Sequence, residues 1–129
     1  MRQKGFTLLE MLVVMGIIAI LIGMGAAAYS TAQKKARDAK RRSDLKAVQN
    51  CMEQYYAYNN NFQYQVLGTI GGTLASPSPI NCGASTLTVP TDPLNNVTYY
   101  YKVDSSTSSA YSLSVTLEAG GSANVTSLQ

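Results

Sequence analysis

The sequence predicts an α+β protein: one long N-terminal helix packed against a small antiparallel β-sheet. Three observations carry this. From Phe6 to Tyr29 the chain is strongly apolar, and Glu10 is the only charge in it. From Thr31 to Asn59 it contains neither Gly nor Pro and is rich in strong helix formers. From Tyr111 to Glu118 apolar and polar residues alternate without a fault, the signature of a half-buried strand.

The elements follow in order. Residues 1–5, MRQKG, form a short basic leader. Residues 6–29 form an apolar helix about 36 Å long at about 1.5 Å per residue, enough to cross a hydrocarbon core of about 30 Å. Residues 30–59 continue the same helix as an amphipathic half, with Leu45, Val48, Met52 and Tyr55 on one face. Asn59-Asn60-Asn61 ends it. Residues 60–85 read as a long variable loop rich in Gly, Ser, Pro and Asn and poor in core residues. Residues 86–129 supply the sheet. Thr86–Val89 is a short strand, and Val97–Val103 is a strand with Val97, Tyr99, Tyr101 and Val103 on one face. Tyr111–Glu118 points Tyr111, Leu113, Val115 and Leu117 inward and Ser112, Ser114, Thr116 and Glu118 outward. A Gly120-Gly121 turn leads to a last strand at Val125–Leu128.

Charge divides the chain unevenly. Arg2 and Lys4 precede the apolar run; Lys34, Lys35, Arg37, Lys40, Arg41, Arg42 and Lys46 follow it against Asp38 and Asp44. Beyond residue 50 only Lys102 stands against Glu53, Asp92, Asp104 and Glu118. The basic segment is a solvated helix face, a contact for acidic surfaces of neighbouring copies, a headgroup contact or a nucleic-acid contact; a DNA groove with interleaved aromatics is missing. The tyrosines from Tyr55 onward read mainly as core between sheet and helix. Cys51 and Cys82 form either one disulfide, as suits a compartment outside the cytoplasm, or two separate buried thiols.

Composition argues against an enzyme. The chain has no histidine, which removes the Ser-His-Asp and Cys-His arrangements and the commonest metal ligand. Its two cysteines do not have a metal-site spacing.

Three readings of the N-terminus compete. A cleaved secretory signal ending near Ala26-Ala27-Ala28 has an apolar run longer than that class uses. A plain membrane anchor leaves Glu10 unexplained, because an acid at mid-membrane costs about 2.5–3.5 kcal/mol. A cut between Gly5 and Phe6 would create an α-amino group one helical turn before Glu10. Glu10 of one copy would then pair with the Phe6 amine of the next, and the small residues Ala19, Gly23 and Ala27 would allow close helix contact.

The run GFTLLEMLVVMGIIAILI resembles the N-terminal signature of type IV pilins and of the pseudopilins of type II secretion systems. Pro90-Thr91-Asp92-Pro93-Leu94-Asn95 followed by Tyr99-Tyr100-Tyr101 is similar, more loosely, to an element of major pseudopilins. The resemblance implies a pilin fold, cleavage after Gly5 by a prepilin peptidase, N-methylation of Phe6, and a role for Glu10 in adding subunits. The product would be a helical filament of identical or related subunits with residues 6–29 at its core, grown on an inner-membrane assembly platform. Its function would be adhesion, motility, DNA uptake or secretion, and its place the inner membrane as a single-pass precursor, then an extracellular or periplasmic filament. A major secretion pseudopilin is the alternative within the family, and a secreted or membrane-anchored binding module the alternative outside it.

Two departures stand out. No proline interrupts the late stem, where many pilins have one. The pseudopilin loop commonly binds calcium, whereas this one offers Asp92, Asp104, Asn95 and Asn96 to an ion that takes six to eight oxygens. No other cofactor is expected. The charge bias also opposes the orientation that the leader implies, since the excess of Lys and Arg follows the span.

Overall fold

The structure is a computed structural model that describes residues 5–59, 61–74 and 78–129. The leader residues Met1–Lys4, together with Asn60 and Ala75–Pro77 of the expected loop, lie outside the described residues. The chain divides into two compact units, Met1–Lys34 and Lys35–Gln129, called here the stem and the head.

Helix α1 runs Leu8–Tyr58. Thr7 caps its start: the Thr7 Oγ1 accepts the Glu10 amide at 3.2 Å, satisfying one of the donors a helix N-terminus leaves open. At the other end Asn59 still donates its amide to the Tyr55 carbonyl at 2.8 Å, and Phe62 then takes a positive φ of 50° that turns the chain away. In the stem the described side chains of α1 are exposed throughout.

The head has its own core. Leu45, Val48 and Met52 are buried as the helical spacing predicts, but Tyr55 is only half-buried and Cys51 and Gln49 fill out that face. The sheet is antiparallel in the order β3 (Tyr101–Ser106), β4 (Tyr111–Thr116), β5 (Ser122–Thr126). A separate two-stranded ribbon pairs β1 (Ile80–Asn81) with β2 (Thr86–Leu87). In β4 the expected inward set, Tyr111, Leu113 and Val115, is buried, and Leu117 just beyond it is buried too.

Three expectations are corrected. The strand expected at Val97–Val103 begins only at Tyr101, and Val97 is 95% exposed. Asn95 sits at φ 42°, and the Asn96 Oδ1 accepts the Thr98 and Tyr99 amides, both at 3.0 Å. That side-chain turn occupies the backbone donors a strand would need. The last strand lies at Ser122–Thr126, because Gly120 and Gly121, at φ 99° and 82°, reverse the chain tightly and pairing resumes at once.

The third correction concerns the segment expected to be poor in core residues. Tyr64, Leu67, Leu74, Ile80 and Cys82 are all buried. The backbone ties them down: Gly71 and Leu74 donate to the Val103 and Tyr101 carbonyls, each at 2.7 Å, and the Val103 amide donates to Gly72 at 3.0 Å. The segment thus covers the free edge of β3, which would otherwise be a pairing hazard. Cys51 and Cys82 are joined as a disulfide, with Cα atoms 4.6 Å apart, pinning the segment to α1.

Closing a loop between residues 31 apart restricts the unfolded chain by about 3–4 kcal/mol on the chain-entropy scale. The double variant Cys51→Ser/Cys82→Ser is therefore expected to lose about that much stability, measured by urea unfolding followed through circular dichroism.

Candidate functional site

Two constellations carry chemistry, one in each unit. In the stem, Phe6, Leu8, Leu9 and the large apolar residues through Met24 are exposed among the described residues. Leaving one Leu or Ile side chain in water costs about 1.5–3 kcal/mol, so a surface of this size requires a non-aqueous neighbour. Among the described residues, α1 is the one helix long and apolar enough to cross a membrane.

Glu10 is the only charged residue from Phe6 to Tyr29, and its carboxylate has no hydrogen-bond or ionic partner among the described residues. Thr7-Leu8-Leu9-Glu10 has the spacing of a capping box, a local signal the expectation for Glu10 overlooked. The Thr7 half of that box is formed; a return bond from the Glu10 side chain is not. Capping therefore uses the Glu10 amide and leaves its charge uncommitted. Gly5 and Phe6 precede the helix and are exposed, so their peptide bond is not held in the helical ladder. Of the small residues expected to allow close contact, Ala19 and Gly23 are exposed, and no atom lies within 4 Å of where a Gly23 Cβ would stand.

In the head the central group is Arg41, whose side chain is 0% exposed. It grips Asp92 with two bonds, Nε to Oδ2 at 2.6 Å and Nη2 to Oδ1 at 2.9 Å. Its Nη1 reaches Asp38 at 2.7 Å and Glu118 at 2.9 Å, and its guanidinium carbon lies 4.7 Å from the centre of the Tyr99 ring. Arg37 adds a second fork to Glu118, at 2.7 and 2.6 Å. Two cations thus face three carboxylates. Backbone amides absorb the surplus negative charge: Leu94 and Asn95 donate to Asp92, and Glu118 and Ala119 donate to Asp38. No buried side-chain N or O among the described residues lacks a partner, the condition under which a buried ionic network holds.

The protonation states follow from these contacts. The Arg37 hydrogen bond, with Arg41 in support, pulls the Glu118 carboxyl down to about 2. For Asp92, burial pushes upward, but the Arg41 bond and the Leu94 and Asn95 amides outweigh it and leave the group below its ordinary value. Asp38 behaves likewise, with burial offset by the Glu118 and Ala119 amides and by Arg41. Arg41 is raised, chiefly by its bond to Asp92.

This overturns two sequence expectations. Glu118 does not point outward: β4 ends at Thr116, the alternation lapses, and the side chain turns to the arginines. The basic segment is not uniformly a free face either, since Arg37, Asp38 and Arg41 are consumed inside the head. Lys34, Lys35, Lys40, Arg42 and Lys46 stay exposed. The chain's acidic residues offer them little, because Asp44 accepts the Tyr101 hydroxyl at 2.6 Å and Glu53 accepts those of Tyr64 and Tyr111 at 2.9 and 3.1 Å. Burial and the Glu53 contact push the Tyr64 phenol up to about 12.

A helix long and apolar enough to cross a membrane, followed by a small disulfide-bonded α+β unit, is the layout of a pilin-like structural subunit. The comparisons give the family. The prokaryotic N-terminal methylation motif matches residues 1–26. The type II secretion system core protein G of Aeromonas hydrophila is 32% identical over 100 residues, covering 74% of this chain and 70% of that protein. The prepilin peptidase-dependent protein D of Escherichia coli K12 is 54% identical over 35 residues, covering 27% of this chain and 24% of that protein. No solved structure matches the chain. The chain belongs to the family of type IV pilins and type II secretion pseudopilins.

The depressed carboxyl values give a pH prediction. Groups whose folded values lie below their unfolded ones stabilise the fold fully above the unfolded range, and that contribution is lost as pH falls through the folded value. The head is expected to keep its stability from neutral pH down to about 4.5 and to lose it progressively toward the Glu118 value of about 2. Thermal melts across that range check this; a loss already complete near pH 5 would contradict it.

Proposed function

We propose that the chain is made as a single-pass precursor in the inner membrane, cut after Gly5 by a prepilin peptidase and N-methylated at Phe6. It is then added at an inner-membrane assembly platform to a helical filament of identical or related subunits. Glu10 of the incoming copy pairs with the Phe6 amine of its neighbour. The observation that carries this reading is a bare apolar stem whose lone carboxylate has no partner among the described residues. An uncompensated charge in an apolar bundle is strongly unfavourable, so correct register is the arrangement that relieves it. Residues 6–29 serve as anchor before assembly and as filament core afterwards. Lipid tails are as apolar as the bundle, so packing and the ion pair drive the exchange, with little help from water exclusion.

Between the two branches of the family, the similarity to core protein G favours a subunit of a secretion pseudopilus in the periplasm, because it extends through most of the head, whereas the similarity to protein D covers 35 residues. A surface pilus is the second reading; the match to the prepilin peptidase-dependent protein D supports processing by such a peptidase in either case.

Two experiments test the proposal. Glu10→Gln keeps the length and hydrogen-bonding capacity of a capping residue but removes the charge. It is expected to give protein that is inserted and trimmed yet fails to form filaments, read by shearing and electron microscopy; normal filaments would refute the pairing. Gly5→Leu is expected to retain the leader, and a mature N-terminus still found at Phe6 by mass spectrometry would contradict the assigned cut.

A further inference from the structure

The three-stranded sheet has one edge that its own chain covers and one that it leaves open. Residues 71–74 cover the β3 edge, whereas β5 pairs with β4 alone. In an antiparallel ladder, alternate residues turn both backbone groups toward the partner strand and the others turn both away. Bonds at the two ends of the β4–β5 ladder fix which is which: Leu117 donates to the Gly121 carbonyl and Ser127 to the Tyr111 carbonyl, each at 3.0 Å. Ala123 and Val125 therefore face β4, opposite Val115 and Leu113, while Ser122, Asn124 and Thr126 turn their backbone groups outward. The Thr126 carbonyl accepts the Gln49 side-chain amide at 2.7 Å. Those of Ser122 and Asn124 have no partner among the described residues. The strand also lacks the usual protection of an edge, since SANVT has no charge and no proline and its register with β4 is unbroken.

A stripe of cations runs beside this edge. Lys35, Arg42 and Lys46 stand at i, i+7 and i+11 of α1, within about 40° of one another at 3.6 residues per turn, and all three are exposed. Arg42, Leu45 and Lys46 border a groove of about 340 Å³ whose other wall is residues 122–125. Lys46 donates to the neutral Gln49 side-chain oxygen at 2.7 Å, and Lys35 and Arg42 have no hydrogen-bond or ionic partner among the described residues.

We propose that this groove takes an extended acidic segment of a second protein, which adds to β5 as a fourth strand. The open backbone groups of Ser122 and Asn124 supply hydrogen bonds that any sequence can use, and the stripe selects among sequences by charge. Arg42 and Lys46 are one turn apart, about 6 Å along the helix. Side chains two apart on a strand are separated by about 6.6 Å, so carboxylates at alternate positions match the two cations. A second copy of this chain is the wrong occupant. Pairing edge to edge would set two cationic stripes against each other, and the head's own acidic residues are already engaged. The inference concerns the head and does not depend on whether filaments form.

It is tested on the ¹⁵N-labelled full chain in micelles of neutral detergent, titrated with a capped heptapeptide in which glutamate alternates with threonine. Exchange of the Ser122 and Asn124 amides is expected to slow roughly tenfold or more, with saturation at or below about 1 mM peptide. Ala123 and Val125, which already bond to β4, are expected to change little. The same peptide with lysine in place of glutamate, or with its backbone amides N-methylated, is expected not to bind. Arg42→Gln combined with Lys46→Gln alters two exposed side chains outside the Arg41 cluster and is expected to weaken binding by roughly tenfold. Absence of saturable protection at Ser122 and Asn124 would overturn the proposal, as would equal binding of either altered peptide or of the double variant. Protection that grows with protein concentration without peptide would give the edge to a second copy. Protection by phosphatidylglycerol in the micelle, and not by the peptide, would give the stripe to lipid. Either result contradicts the proposal.

Discussion

A helical surface apolar on every side, carrying one acid, is the constraint on which the rest of this molecule depends. Water cannot be its permanent neighbour, because each large side chain left exposed costs more than a surface contact returns. Lipid is an adequate neighbour for the apolar residues but a poor one for Glu10. A bundle of like helices can satisfy both, provided each carboxylate finds a cation. The segment is therefore suited to two successive environments, and in the proposed filament Glu10 would distinguish a correctly placed copy from one merely dissolved among its fellows.

The head solves a different problem. It is small, and its core must be assembled from one helical face, a three-stranded sheet and a segment with little regular structure. The disulfide joins that segment to α1, and the Arg41 cluster joins α1 to the 90–95 loop and the end of β4. Both devices link elements distant in sequence, as a unit of this size requires when hydrophobic burial alone is modest. Pairing the arginines inside the head also changes what it shows outside. The cations that remain exposed are lysines and Arg42, while every acidic residue of the head is engaged by a partner in the same chain.

Much of this was legible in the sequence wherever the signal is local. The continuation of the apolar helix into the head, the Leu45/Val48/Met52 face and the inward side of β4 follow from composition and periodicity, because those side chains repeat with the backbone. The burial of Tyr64, Leu67, Leu74 and Ile80 was not legible, since their spacing matches neither a helix nor a strand and they are held by pairings that no local period encodes: the Tyr64 and Leu74 amides donate to the Ser108 and Tyr101 carbonyls, the Leu67 amide to the Ser106 hydroxyl, and Ile80 pairs with Leu87. Arg41 was hidden for a related reason. In a run of Lys and Arg nothing marks the one whose partners lie 51 and 77 residues away. Glu118 was misjudged by extending a period of two past the end of its strand. In the stem, Thr7 with Glu10 was a readable capping signal, and it accounts for the Glu10 amide without accounting for the charge.

The central claim is that the carboxylate of one copy meets the amine of another. Solid-state NMR on filaments grown from a mixture of copies, half with ¹⁵N-phenylalanine and half with ¹³C-carboxyl glutamate, tests it most directly. The Phe6 amine is distinguishable from the Phe62 amide by its chemical shift. The account predicts dipolar contact between that amine and a glutamate carboxyl carbon across copies, at ion-pair range of about 4 Å. Intact filaments whose Phe6 amine shows no glutamate carboxyl nearby would contradict it.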